Sequence, residues 1–207
     1  MVYQIGKKGN DMTAVLACKL RPHNKRLSDD MQKVPNNRPG WYRWWAPKAA
    51  LEPLLNSRHI SKKYMDEFLQ RLQRRKYKQD TYYCIYVGVA VKGSIRSRLN
   101  WHVNQDHTES AVQNKALSTL RQSISSLVAG DQYDKKATDK LIDQLLIEYC
   151  AIDDPIKSEK AKKRIEQIES DEVKNNLLPL NIKGNKQKIL KPFLHDLTKA
   201  RGKARNK

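Results

Sequence analysis

Gly40-Trp41-Tyr42-Arg43-Trp44-Trp45-Ala46 is dense in aromatic side chains and reads as a β-strand, with Tyr42 and Trp44 on one face and Trp41 and Trp45 on the other. It follows Val34-Pro35-Asn36-Asn37-Arg38-Pro39, a loop signal. A second strand is expected at Thr81-Tyr82-Tyr83-Cys84-Ile85-Tyr86-Val87-Gly88-Val89-Ala90 from its β-branched and aromatic content. Between the two, residues 61–76 place Tyr64, Met65, Phe68, Leu69 and Leu72 at helical spacing behind Ser61 as N-cap. The opposite face of that helix would carry Lys62, Lys63, Arg71, Arg74, Arg75 and Lys76, either to track a phosphate backbone or simply to meet solvent.

Beyond the second strand, Gly93-Ser94 opens a helix over residues 94–103, in which Ile95 and Leu99 form an apolar stripe and Arg98 and His102 are neighbours one turn apart. Residues 110–129 form an amphipathic helix through Leu117, Leu120, Ile124, Leu127 and Val128, closed by Gly130, and a turn and a short helix come next. The apolar run at residues 145–152 fits either a helix end or a third strand, and the strand is preferred. A helix over residues 156–174 turns Ala161, Ile165 and Ile168 inward and ends before Pro179. Residues 183–207 hold nine Lys or Arg against Asp196 alone, the composition of a phosphate-binding or disordered arm. The reading is α+β: a small three-stranded antiparallel sheet flanked by helices.

Composition narrows the function class. With 207 residues one domain with appended segments is expected, and the net charge of +19 exceeds what solubility requires. A polyanionic partner is implied. No apolar run reaches the ~18 residues of a membrane span. The opening residues, Met1 to Asn10, are polar and basic with no export signal, so the cytoplasm is the expected compartment. Cys18, Cys84 and Cys150 are too few and too scattered for a disulfide framework or a Cys-x-x-Cys metal site, and are expected as buried small apolar residues.

Gly40-Trp41-Tyr42 resembles the first half of the GIY-YIG nuclease signature and Tyr86-Val87-Gly88 the second. Arg98-Leu99 resembles the arginine of the family's helix, Pro179-Leu180-Asn181 its closing Pro-x-Asn element, and His102 a histidine of some restriction-enzyme members. The resemblance covers residues 40–185. On it, residues 1–39 are an N-terminal extension, residues 47–80 a helical insertion and residues 186–207 a basic tail. It departs from the family in the long spacing between the two tripeptides.

The resemblance implies a metal-dependent DNA endonuclease, most similar to type II restriction enzymes. The alternatives are a repair or mobile-element nuclease cutting structured DNA and a non-catalytic nucleic-acid-binding protein. It implies Tyr42 as general base, Tyr86 orienting water or phosphate, Arg98 on the phosphate beside His102, and Asn181 bracing the site. Glu169 would hold one Mg2+ or Mn2+, ions that keep several waters and accept few carboxylates. Glu166, one turn earlier, competes for that role, as does Glu148 should residues 140–150 prove helical; Arg96 competes with Arg98. A phenol of ordinary pKa about 10 needs nearby positive charge to become a base, and Arg98, the metal and His102 are the expected sources. Lys62, Lys63, Arg71, Arg74, Arg75, Lys183 and Lys186 are the expected DNA contacts. The resemblance implies no membrane and no organic cofactor, and it is compatible with a homodimer, the usual state of enzymes with palindromic sites.

Overall fold

The computed structural model describes residues 12–206 apart from Lys25 and Asp106. The opening residues 1–10, where an export signal was sought, lie outside the described residues. In chain order the elements are β1 (Thr13–Leu16), α1 (Asp29–Lys33), β2 (Gly40–Pro47), α2 (Lys48–Leu55), α3 (Met65–Leu69), β3 (Arg74–Tyr77) and β4 (Asp80–Ala90). They continue with α4 (Ile95–Asn104), α5 (Glu109–Gln113), α6 (Thr119–Val128), α7 (Lys135–Ile142), β5 (Leu146–Ala151), α8 (Glu159–Asn175) and α9 (Lys191–Arg205). The strands form one sheet of order β1-β5-β2-β4-β3 with every pair antiparallel.

β2 lies at the centre of the sheet and helices cover both of its faces, so the two rows of aromatics anticipated from its sequence fill two separate cores. Tyr42, Trp44 and Ala46 pack with Leu51 and Leu54 of α2, Leu99 of α4, Ile124 of α6 and Phe193 of α9. Trp41 and Trp45 pack on the other face with Cys84, Val87 and Leu146 and with Ala161, Ile165 and Val173 of α8. Each fully buried large apolar side chain contributes about 1.5–3 kcal/mol relative to exposure. Helix starts are fixed locally: the hydroxyl of Ser94 accepts from the Ser97 amide before α4, and that of Ser158 from the Ala161 amide before α8.

Two features of the β2/β4 pair position the residues around Tyr42. Pairing runs Tyr42 with Gly88 and Trp44 with Tyr86, then shifts so that Trp45 meets Cys84, which leaves Ile85 bulged. Farther along, where β3 no longer covers β4, residues 180 and 181 take over its edge. The Leu180 amide donates to the Ile85 carbonyl at 3.0 Å, and the Asn181 side chain bonds both polar groups of Val87.

The structure corrects several expectations of the fold. The sheet has five strands instead of three: β1 comes from the presumed extension and β3 from the presumed insertion. Residues 61–76 are not one helix; α3 spans only Met65–Leu69, Arg74 to Tyr77 pair with β4, and Ser61 gives its hydroxyl proton to Asp196 instead of capping. The basic tail is not an arm, because Phe193, Leu194, Leu197, Ala200 and Ala204 give α9 an apolar stripe buried against the core. The helix expected over residues 110–129 is broken into α5 and α6, with Lys115 at φ 55° between them. Residues 145–152 do contain the preferred strand, β5. Cys84 and Cys150 are buried as expected, while Cys18 is exposed.

Candidate active site

Strand period and strand register bring the first pair of phenols together. Tyr42 and Trp44 alternate onto the same face of β2, and their partners on β4 are Gly88 and Tyr86. A side chain at residue 88 would be impossible here: a Cβ on Gly88 would lie 2.4 Å from the Tyr42 hydroxyl oxygen and 2.6 Å from its ring carbon Cζ. The glycine of the second tripeptide is therefore the space in which the tyrosine of the first one lies.

α4 delivers the next two groups from above this face. Arg98 and His102, one turn apart, both reach Tyr42: the Arg98 Nε–H donates to the phenolic oxygen at 3.3 Å, and His102 Nε2 lies 2.6 Å from the same oxygen. Tyr42 and His102 are fully buried. His102 is ringed by Tyr42, Trp44, Tyr86 and Trp101, with centroids 5.3, 5.8, 6.2 and 5.2 Å away. The Arg98 guanidinium lies 4.3 Å over the Trp101 ring, three residues on along the same helix face.

The electrostatics reverse one expectation. Burial pushes the Tyr42 phenol far above its ordinary value, the neighbouring Tyr86 and Glu169 push it further, and Arg98 offsets only part of this. Tyr86 is pushed up to about 12 by burial, with Arg98 and Arg201 pulling against Glu169. His102 falls well below its ordinary value through burial and the nearby charges of Arg98 and Arg121, so at neutral pH it is an uncharged imidazole. It supplies no positive charge to Tyr42. It is instead placed to accept a hydrogen bond: with Arg98 donating to the phenolic oxygen, the phenolic hydrogen is satisfied only if it points to His102 Nε2.

Glu169 projects from α8 near the same groups. It is half-buried, and among the described residues no hydrogen bond or ion pair engages its carboxylate. Burial raises its pKa, while Arg98 and Lys183 draw it back down. Of the two competing carboxylates, Glu166 is exposed, and Glu148 lies on β5, where its oxygens accept from Arg43 and Arg75. Of the three, Glu169 is the carboxylate left unengaged beside Arg98. A single unpaired, partly desolvated carboxylate suits an Mg2+ or Mn2+ ion that keeps most of its waters. Among the described residues no group of three or more His, Cys, Asp or Glu forms a denser cage.

Asn181 stands along the edge of β4 away from β2. Its Oδ1 accepts from the Val87 amide at 2.8 Å and its Nδ2 donates to the Val87 carbonyl at 2.9 Å, holding the strand between Tyr86 and Gly88. Arg96, the rival of Arg98, points away and bonds the Val34 carbonyl. The expected DNA contacts scatter. Lys62, Lys63, Arg71, Arg74 and Lys186 are exposed on separate segments, Lys183 is exposed near Glu169, and Arg75 turns inward to Glu148. Two residues went unread in the sequence: Trp101, whose i,i+3 spacing to Arg98 was a signal, and Arg201 of α9, whose charge bears on Tyr86 and for which no local pattern exists. A cavity of about 420 Å3, walled by Val89, Lys92, Ser97, Arg98 and Trp101, opens beside these groups.

A family model described as the GIY-YIG catalytic domain matches residues 40–203. No curated protein and no solved structure matches the chain.

Proposed function

Because the chain belongs to the GIY-YIG family of nuclease domains, we propose that it is a metal-dependent endonuclease of the restriction type, cutting double-stranded DNA. The observation that carries the proposal is the convergence of Tyr42, His102 and Arg98 on one hydroxyl oxygen, with the unpaired Glu169 beside Arg98.

In this reading the scissile phosphate lies against Arg98, whose fork of donors neutralises charge on the phosphoryl oxygens. The Tyr42 hydroxyl passes its proton to His102 Nε2, and the phenolate takes a proton from the attacking water as the new P–O bond forms and the bond to the 3′-oxygen breaks. The 3′-oxygen then takes a proton from solvent and His102 gives one back to solvent, which restores the resting state. Burial is the larger barrier to protonation of His102, and an anionic phosphate on Arg98 offsets the part that comes from the Arg98 charge. Tyr86 orients the water or the phosphate, and Asn181 keeps Tyr86 and Gly88 in register with β2. Glu169 would hold the divalent ion, which supplies Lewis-acid stabilisation of the phosphate and of the leaving oxygen. The net charge of +19 supports a nucleic-acid substrate by supplying sequence-independent affinity.

The test is incubation of supercoiled plasmid and mixed genomic DNA with Mg2+ and, separately, with chelator. Discrete, Mg2+-dependent fragments, lost in Glu169→Gln, are expected. Preferential cutting of branched substrates would transfer the protein to repair or mobile-element roles. DNA binding without cleavage under any divalent ion would make it a binding protein.

A further inference from the structure

On the face of the sheet away from Tyr42 sits a partly buried cluster of charges: Arg43, Arg75, Glu148 and Glu172. Arg43 forms a two-pronged pair with Glu172 of α8, Nε donating to Oε2 at 3.2 Å and Nη2 to Oε1. Its third prong, Nη1, donates to Oε2 of Glu148 at 3.3 Å, directly across the β2/β5 ladder, and Arg75 of β3 bonds the other oxygen of Glu148. The Arg43, Glu148 and Glu172 side chains are only 14, 9 and 11% exposed. The Arg43 guanidinium lies 4.8 Å from the Trp41 ring and 5.9 Å from the Trp45 ring, and Asn176 donates to Glu172 Oε2 at 3.0 Å. Burial alone would lower the pKa of Arg43, yet the Glu172 hydrogen bonds and charge outweigh it and raise it.

The placement of this cluster matters more than its strength. Arg43 follows Tyr42 on β2, and Glu172 lies one helical turn beyond Glu169 on α8. One ion pair therefore joins the strand that carries the candidate base to the helix that carries the candidate metal ligand. The apolar contacts of Ile165 and Val173 hold α8 down onto the sheet, but hydrophobic contact is non-directional and sets the slide and roll of a helix less sharply than a directional bond does. A bidentate guanidinium–carboxylate pair is directional and fixes both motions. Buried ion pairs of this kind add little stability compared with apolar replacements, and setting register is their best attested use.

We infer that Arg43 and Glu172 are positioning residues, which set where Glu169 stands relative to Tyr42 and Arg98. The inference rests on the metal-dependent reading under Proposed function. It predicts that the link can be removed without loss of the fold. In the full-length chain, Arg43→Met combined with Glu172→Leu replaces the pair with apolar side chains, while Glu148 keeps Arg75. This variant should stay folded, its melt lowered only by the Arg43 bond that Glu148 loses and the acceptor that Asn176 loses, yet bind Mn2+ about 10-fold more weakly by calorimetric titration, the scale on which residues supporting a metal ligand act. Its kcat should fall while its affinity for DNA holds. Glu172→Gln, which keeps shape and loses charge, should shift Mn2+ binding in the same direction, and so should Arg43→Lys, which keeps charge and loses the fork. Wild-type Mn2+ affinity and kcat in all of these variants that fold would overturn the positioning role and leave the nuclease reading intact. A wild-type protein that neither binds Mn2+ nor cleaves DNA would overturn both.

Discussion

The Tyr42 hydroxyl lies 2.6 Å from His102 Nε2 with both side chains fully buried, so the phenolic proton has a ready acceptor before any substrate arrives. Tyr42→Phe removes the base and leaves His102 Nε2 without a partner. Cleavage should fall by about 100-fold or more, the usual contribution of a general base. The melt should reflect a loss of about 1–3 kcal/mol for the orphaned buried group. DNA affinity in gel shifts should be unchanged; residual cleavage near wild type would remove Tyr42 from the chemistry.

Because Tyr42 hands its proton to His102 instead of to solvent, the reacting state holds as many protons as the resting one, so the cleavage rate at saturating Mg2+ should be flat between about pH 7 and 9 and fall only in acid, where His102 becomes protonated. A rate rising about tenfold per pH unit over that interval would mean that the phenol loses its proton to solvent and that His102 is not its acceptor.

Stability should move with pH through the histidines. His102 and His107 are both depressed by burial, whereas in the unfolded chain each titrates near pH 6.5. Below about pH 6.5 the unfolded chain binds more protons than the native one, so the full stability present above that pH is lost progressively as pH falls toward the native values. Melting temperature should drop between about pH 7 and 5, and His102→Gln should flatten that slope. An unchanged slope in the variant would mean His102 is protonated in the native state.

Gly88→Ala introduces the Cβ that meets the Tyr42 hydroxyl at 2.4 Å. Overpacking of this kind costs about 1–3 kcal/mol, and the ring must leave its place between Arg98 and His102. The variant should lose cleavage as thoroughly as Tyr42→Phe while still binding DNA, measured side by side in the same assays.

Asn181→Ala leaves the Val87 amide and carbonyl unbonded, at about 1–3 kcal/mol for each buried group. Chemical denaturation should show the loss. Asn181→Asp, which can accept from the amide but not donate to the carbonyl, should fall between Ala and wild type.

The central strands and the side chains that meet at the candidate site were legible because their signals are local and doubled. Tyr42 and Tyr86 sit in aromatic runs that alternate, and Arg98 with His102 repeats the helical turn. The edges were not legible. β3 reads Arg74-Arg75-Lys76-Tyr77, with no apolar alternation, and its hairpin turns through Lys78 at φ 54° and Gln79, without the Asn-Gly or Asp-Gly signal that normally marks such a turn. Pairing with the aromatic β4 decides its conformation. Basic residues masked α9 in the same way, since its apolar stripe is interleaved with Lys191, Lys199, Arg201, Lys203 and Arg205 and was outweighed by overall charge. The depressed His102 and elevated Tyr42 depend on burial from both sides of the chain, a property no short window of sequence carries.

Asn181 occupies the two backbone groups of Val87 that an incoming strand from another molecule would use to extend the sheet. With β3 covering the start of β4 and the segment at residues 180–181 covering its middle, this apolar, aromatic strand offers little template for edge-to-edge association. The same amide that braces the candidate site therefore also guards a hydrophobic strand against aggregation.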